Sequence, residues 1–187
     1  MLSKYGSISH TGGMEDTRNV VDEYKGMPIE AIVHDLDERG VSLEIAIENL
    51  ARDFNMGTII RSANAFGVRH VHVIGRRQWN KRGAMMTDKY LHVHYHESVS
   101  VFAEAVQGKE IIAIDNVEGS ISLHEAQLPT DIVMVFGSER DGLSDELLAL
   151  ASQTVAIEQI GSTRSLNVGV AAGVAMYAWV QRNLLTK

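Results

Sequence analysis

Ile132-Val133-Met134-Val135-Phe136-Gly137-Ser138-Glu139 is the stretch on which the fold turns. Its first five residues are apolar with no polar face, as in a strand covered on both sides of a parallel sheet. The run breaks at Gly137-Ser138-Glu139, so a loop starts at the strand's carboxyl end. Further on, Leu143 to Leu150 reads as a short amphipathic helix with Ser144 as its N-cap. Val155-Ala156-Ile157 is a second apolar run, and Gly161 marks a turn. Ser165-Leu166-Asn167 then leads into a helix over Val168 to Val180, so rich in Ala, Gly and Val that its neighbours must pack very close. Two polar loops are thus expected to flank a buried strand pair.

Toward the N-terminus the same alternation continues. Strands are expected at Leu43 to Ile47, His70 to Ile74, Leu91 to Tyr95 and Glu110 to Ile114, and helices at Met56 to Phe66 and Ser98 to Val106, with a long loop through Gly83. The pattern predicts an α/β fold, a parallel sheet with helices on both faces. Ligands in such sheets bind beyond the carboxyl ends of the strands, where Asn116, Gly137 and Ile157 fall. Before this domain, residues 41–187, lie 40 residues read as an arm and a short helix. Residues 1–26 are polar and aperiodic and read as loosely packed. Pro28 to Glu38 places Ile29, Ile32, Val33 and Leu36 on one side of a helix.

The chain's 187 residues, 45% of them hydrophobic, suffice for one domain with a real core. No apolar run approaches the roughly 20 residues of a membrane span, and Glu15 and Asp16 do not suit a signal peptide, so a cytoplasmic protein is expected. The absence of cysteine excludes disulfides, thiolate nucleophiles and Cys-based zinc sites. A net charge of −7 argues mildly against a nucleic-acid partner, yet Phe54 to Thr87 contains no acid while Arg61, Arg69, Arg76, Arg77, Lys81 and Arg82 all fall there. Such a run is commonly a solvated loop. Trp79, a stacking candidate, and the nearby helix bearing Arg61 favour phosphate binding, so Arg76, Arg77, Trp79, Lys81 and Arg82 are the candidate contacts to a phosphate backbone.

Two other chemistries compete with this reading. No G-x-G-x-x-G follows the first strand and no G-x-x-x-x-G-K-[ST] occurs, which disfavours a dinucleotide or P-loop enzyme. His92, His94 and His96 alternate on one strand face, and His70 and His72 repeat the spacing, which raises a zinc site and a metal-dependent hydrolase. Alternation spaces the three roughly 7 Å apart, too far to share one ion without distortion.

Three motifs narrow the reading. Gly137 to Ser144 (G-S-E-x-x-G-L-S) and Ser165 to Gly173 (S-L-N-V-x-V-A-A-G) resemble motifs 2 and 3 of the SpoU/TrmH branch of the SPOUT RNA methyltransferases. Asn55 to Val68 resembles that family's motif 1, N-x-G-x-x-x-R-[ST]-A-x-x-F-G. The resemblance covers about residues 43 to 183. It implies a C-terminal trefoil knot, S-adenosylmethionine as cofactor without a metal, a homodimer formed through the C-terminal region, and 2′-O-methylation of RNA ribose, with tRNA ranked ahead of rRNA. A non-catalytic RNA-binding or partner subunit of the same fold is the alternative.

By the same resemblance Gly137, Ile157 and Leu166 surround the cofactor, joined by Asn116 at its strand end. Arg61 matches the arginine proposed to activate the ribose hydroxyl. A guanidinium is hard to deprotonate, so its first role is to stabilise the developing alkoxide or grip the adjacent phosphate. Asn55 and Glu139 are expected to fix the motif 1 loop against motif 2, and Ser165 and Asn167 to do the same for motif 3.

Overall fold

The apolar run from Ile132 to Phe136 is buried at every position, as strand β6 (Ile132–Phe136). The computed structural model describes residues 16–49, 55–138 and 141–186. Its other strands are β1 (Glu44–Asn49), β2 (His70–Gly75), β3 (His92–His96), β4 (Glu110–Ile114), β5 (Ile121–Ser122) and β7 (Gln153–Ala156). They form one sheet in the order β3-β2-β1-β6-β4-β7-β5, every pair parallel. The expected strand pair is therefore not a pair. β4 lies between β6 and β7, with Ile112 aligned to Met134 on one side and Gln153 on the other. Patterning shows which runs are buried but not which run inserts between two others.

The helices are α1 (Ile29–Arg39), α2 (Met56–Ala65), α3 (Val99–Ala105), α4 (Asp145–Leu150) and α5 (Val168–Val180). Alternate residues of a strand point to opposite faces, and β6 divides accordingly. Met134 and Phe136 pack with Ile59 and Ile60 of α2 and Ala172 and Met176 of α5. Val133 and Val135 pack with Phe102 of α3 and Leu147 of α4. Helices thus cover both faces. Gly169 shows why α5 is so poor in large residues: a Cβ there would lie 3.1 Å from the Thr58 side chain of α2. Trp179 closes the far end, buried, with its indole N–H donating to Pro129 O at 2.8 Å.

Local chemistry sets the boundaries. Ser98 and Ser144 accept from the Val101 and Leu147 amides as N-caps of α3 and α4. β1 runs two residues past the expected Ile47, because buried Glu48 is satisfied by the Ser144 amide at 2.8 Å. The two-residue β5 was not expected at all, being too short to show a period. The loop through Gly83 contains two 3₁₀ turns, Lys81–Ala84 and Thr87–Tyr90.

Two further expectations are corrected. Of residues 1–26, expected to be loosely packed, 1–15 lie outside the described residues, and 16–26, though mostly exposed, are tied down by specific contacts. Asp16 pairs with Arg18 and accepts from the Gly26 amide, and Tyr24 is buried against Ile32 and Tyr90. These contacts, with Arg18 first, hold the Asp16 carboxyl well below the usual carboxylate range. Charge pairs and one aromatic anchor leave no periodicity to read. Arg69 does not belong to the basic surface either. It is buried under Gly40, where a Cβ would meet its Cγ at 2.2 Å, and its Nε donates to Asp37 at 2.8 Å. Among the described residues no helix is long and apolar enough to cross a membrane.

Candidate functional site

Beyond the carboxyl ends of β4, β6 and β7 lies a cavity of about 550 Å³. Asn116, Gly137, Ile157 and Leu166, the four candidate cofactor contacts, all line it, and so does Ser165. On the β6 side its wall is a main-chain turn held in place by side chains. Gly137 has no room for a Cβ, which would lie 2.1 Å from the carbonyl carbon of Gly142 and 2.4 Å from Leu143 N. The close approach demanding glycine is therefore to the chain's own turn, where Ser138 and Gly142 exchange main-chain hydrogen bonds at 3.1 Å.

Asp115, which sequence reasoning missed, fixes that turn. Its two carboxylate oxygens accept from the Asn116 amide at 2.7 Å and the Leu143 amide at 2.9 Å. Asn116 donates its side-chain amide to Arg164 O at 3.3 Å, tying the 157–167 loop to β4. Glu158 accepts from Ser122 Oγ and the His124 amide, bonds that hold its pKa below the usual value and pin the start of the same loop. The signal that could have found Asp115 was its place: a carboxylate at a strand's carboxyl end beside a residue already singled out.

Motif 1 meets motif 3 where α2 and α5 begin. Asn167 caps α5 by accepting from the Val170 amide, and its side-chain amide donates to Asn55 Oδ1 at 2.9 Å. Glu139 lies outside the described residues. Arg61 is exposed on α2 and is not part of the 550 Å³ cavity. It lines a separate, shallower hollow of about 310 Å³ with Thr58, Ser62, Ala65 and Gly83, and has no ion pair among the described residues.

The candidate RNA contacts extend from this hollow. Arg76, Arg77, Lys81 and Arg82 are exposed. The Arg77 guanidinium lies 4.7 Å from the centre of the Tyr95 ring, and Lys81 pairs with Asp88 at 2.8 Å. Trp79 is half-buried against the main core, its N–H 3.4 Å from the Tyr95 hydroxyl and Lys81 Nζ over its ring.

The histidines form a zipper on the β2–β3 edge. His70 Nδ1 lies 3.0 Å from His94 Nε2, and His72 Nδ1 lies 2.9 Å from His96 Nε2. His72 Nε2 reaches Glu44, and His92 reaches Asp37. No group of three or more metal-ligating side chains converges among the described residues.

In chemical terms the cavity suits a nucleoside-sized group. Its volume is within the usual range for small ligands, Val155, Ile157 and Leu166 offer apolar walls, and polar groups converge from three loops. Among the described residues buried Gln159 Oε1 has no hydrogen-bond partner at the cavity wall, an acceptor left for a ligand.

The profile of the SpoU rRNA methylase family matches residues 42–177, the stretch that builds both the cavity and the Arg61 hollow. The chain belongs to this family. It is 29% identical over 147 residues to the tRNA (guanosine(18)-2'-O)-methyltransferase of Escherichia coli, covering 76% of this chain and 64% of that protein. It is 31% identical over 149 residues to the Thermus thermophilus protein of the same name, covering 76% of each. A solved structure described as giving insights into 2-OH methylation of C/U34 on tRNA superposes with a TM-score of 0.67 at 29% identity, over 75% of this chain and 95% of that one. Helix α1 and the segment before it lie outside the family match.

Proposed function

We propose that this chain is an S-adenosylmethionine-dependent methyltransferase acting on the ribose 2′-hydroxyl of RNA, tRNA ahead of rRNA. The observation that carries the reading is the one cavity lined by both the 137–143 and the 157–166 loops, with the Asn55–Asn167 bond tying the Arg61 helix to the second of them. Relatives named for guanosine 18 and for C/U34 support tRNA without choosing the nucleotide.

The bound cofactor supplies an electrophilic methyl group on a sulfonium that departs as a neutral thioether, so the site needs alignment more than acid assistance. Ile157 and Leu166 would sandwich the adenine while main-chain groups beside Gly137 read its edge. Gln159 Oε1 would accept from one of the cofactor's amino groups. Arg61 would stabilise the alkoxide as the ribose hydroxyl loses its proton to solvent or phosphate.

Arg61 stands outside the cavity, which fits a homodimer in which each subunit's arginine serves its partner's cofactor. Val170, Val174 and Tyr177 form an exposed stripe on α5, with Leu184 beyond its end, which a second copy would cover. The family's trefoil knot and a methyltransferase domain over 41–187 complete the reading, as does a cytoplasmic location. The insertion of β6 between the earlier strands β1 and β4 suits the knot.

The test is methyl transfer from labelled S-adenosylmethionine to unfractionated tRNA, followed by nuclease digestion. Label in 2′-O-methylnucleosides is expected. Cofactor binding with no transfer to any RNA would favour the non-catalytic subunit, and absence of binding at millimolar cofactor would remove the enzyme reading.

A further inference from the structure

Met85 and Met86 are the only non-glycine residues with positive φ among those described, at 49° and 66°, both in the left-handed region. Two consecutive residues with full side chains in that region carry strain that persists only where the surroundings impose it. Here they do. Ala84 and Thr87, on either side of the pair, are buried, and Thr87 Oγ1 donates to Ala84 O at 2.6 Å across the base of the turn. The preceding Gly83 is pressed onto α2: a Cβ on Gly57 would lie 2.6 Å from Ala84 N, and one on Gly83 would lie 3.2 Å from Thr58 N. A rigid turn is clamped to the helix that bears Arg61.

The clamp holds both methionine side chains out of the core, 56% and 53% exposed. They stand between exposed Arg82 on one side and exposed Lys89 on the other, and Gly83, two residues before Met85, lines the Arg61 hollow. Trp79, the aromatic in this segment, is half-buried against the core with Lys81 over its ring, so the two methionines are the segment's most exposed apolar groups. Strained, anchored apolar side chains flanked in sequence by exposed cations suit a partner that is itself flat and apolar on a polyanionic backbone. Thioethers are polarisable and adapt to ring faces.

We infer that Met85 and Met86 form a stacking platform for an unpaired nucleobase of the RNA substrate, beside the nucleotide whose ribose enters the Arg61 hollow. The inference rests on the RNA methyltransferase reading and adds that the substrate is bound with a base unstacked, as in a loop and not a duplex. The cations grip the backbone, and the methionines discriminate single-stranded from paired RNA.

Asparagine tolerates the left-handed region, so Met85→Asn/Met86→Asn removes the apolar surface while relieving the backbone. The protein is titrated, with S-adenosylhomocysteine present, against a stem-loop RNA and against a fully duplexed RNA of the same composition. The double variant should bind the stem-loop about tenfold or more weakly, bind the duplex as the wild type does, and melt no lower. Met85→Leu/Met86→Leu should retain stem-loop affinity. Equal stem-loop affinity of the asparagine variant and the wild type overturns the proposal and leaves the methyltransferase reading intact. Loss of the dimer by light scattering in the asparagine variant also overturns it, because a second copy would then cover the methionines. A wild type that binds neither RNA brings down both.

Discussion

Two regions of this sheet use their polar atoms in opposite ways. At the carboxyl ends of β1, β4, β6 and β7, side chains bond to main chain: Asp115 to the Asn116 and Leu143 amides, Glu48 to Ser144, Asn116 to Arg164. At the β2–β3 edge, side chains bond to one another, from His94 to His70 and from His96 through His72 and Glu44 to Lys109 and Asp131. The first arrangement fixes a backbone shape and leaves the cavity wall free for a ligand. The second consumes its own polar groups and leaves nothing for one. Five imidazoles on two adjacent strands therefore make a structural zipper, while the cavity end of the sheet is built around glycines and carboxylates.

If the cavity is a main-chain device, its most sensitive position is the one with no space. Gly137→Ala puts a Cβ 2.1 Å from Gly142 backbone, which cannot give way as a flexible side chain can. S-adenosylhomocysteine binding should become undetectable by calorimetry while the far-ultraviolet circular dichroism stays that of the folded chain. Normal affinity in this variant would break the comparison. Arg61→Ala should show the next largest effect. Turnover falls on the order of a hundredfold, with cofactor affinity unchanged because Arg61 is outside the cavity. Arg61→Lys should stay badly impaired, having lost the planar fork. An Arg61→Ala protein that methylates saturating RNA at the normal rate would remove this residue from the chemistry.

Asp115→Ala sharpens the same contrast at smaller scale. It deletes acceptors for two amides without touching the apolar walls, so cofactor affinity should weaken about tenfold, as expected for hydrogen bonds to a charged group. Turnover at saturating cofactor should be largely kept. Asp115→Asn, which keeps one acceptor, should lie between. Calorimetry on the three proteins decides it, and unchanged affinity in Asp115→Ala would mean the turn holds itself.

What the sequence discloses follows from the same division. β4, β6 and α5 are legible to the residue, because a continuous apolar run and an Ala/Gly/Val helix have a composition that burial alone explains. Asn116, Gly137 and Ile157 are legible as strand-end positions, and Leu166 from its motif. Asp115 is not, because a carboxylate bonded to backbone amides looks in sequence like any loop acid. Arg69 misleads for the converse reason: its partner Asp37 is on α1, 32 positions away in sequence. The inward turn of Trp79 and the strained Met85–Met86 pair depend on backbone angles, which no composition encodes.

The smallest effect belongs to the zipper, and it should titrate where the cavity does not. Each imidazole pair needs one nitrogen donating and its partner accepting, so protonating both rings of a pair would break it. Burial, reinforced by neighbouring imidazoles, holds His70, His94 and His96 below the ordinary histidine value, against an opposing pull from Glu44 on His70 and His94. Burial raises the Glu44 carboxyl, but His72 and Lys109 outweigh it and keep the net shift downward, so Glu44 stays ionised through the relevant range. Lys109, held above its ordinary value, and Asp37, held below its own, do not titrate there either. The unfolded chain takes up protons on these histidines near pH 6.5 and the folded chain only at lower pH. Between those limits the unfolded state binds more protons, so stability is complete above about pH 6.5 and falls as pH drops below it. The thermal midpoint should therefore decrease between about pH 7.5 and 5.5, by about 2–4 °C for each kcal/mol lost. His70→Gln/His94→Gln should flatten the dependence, while S-adenosylhomocysteine affinity of the folded protein stays level over the same range. A midpoint indifferent to pH in the wild type, or a cofactor affinity that tracks the histidines, would show that the two regions are not the separate devices their hydrogen bonds describe.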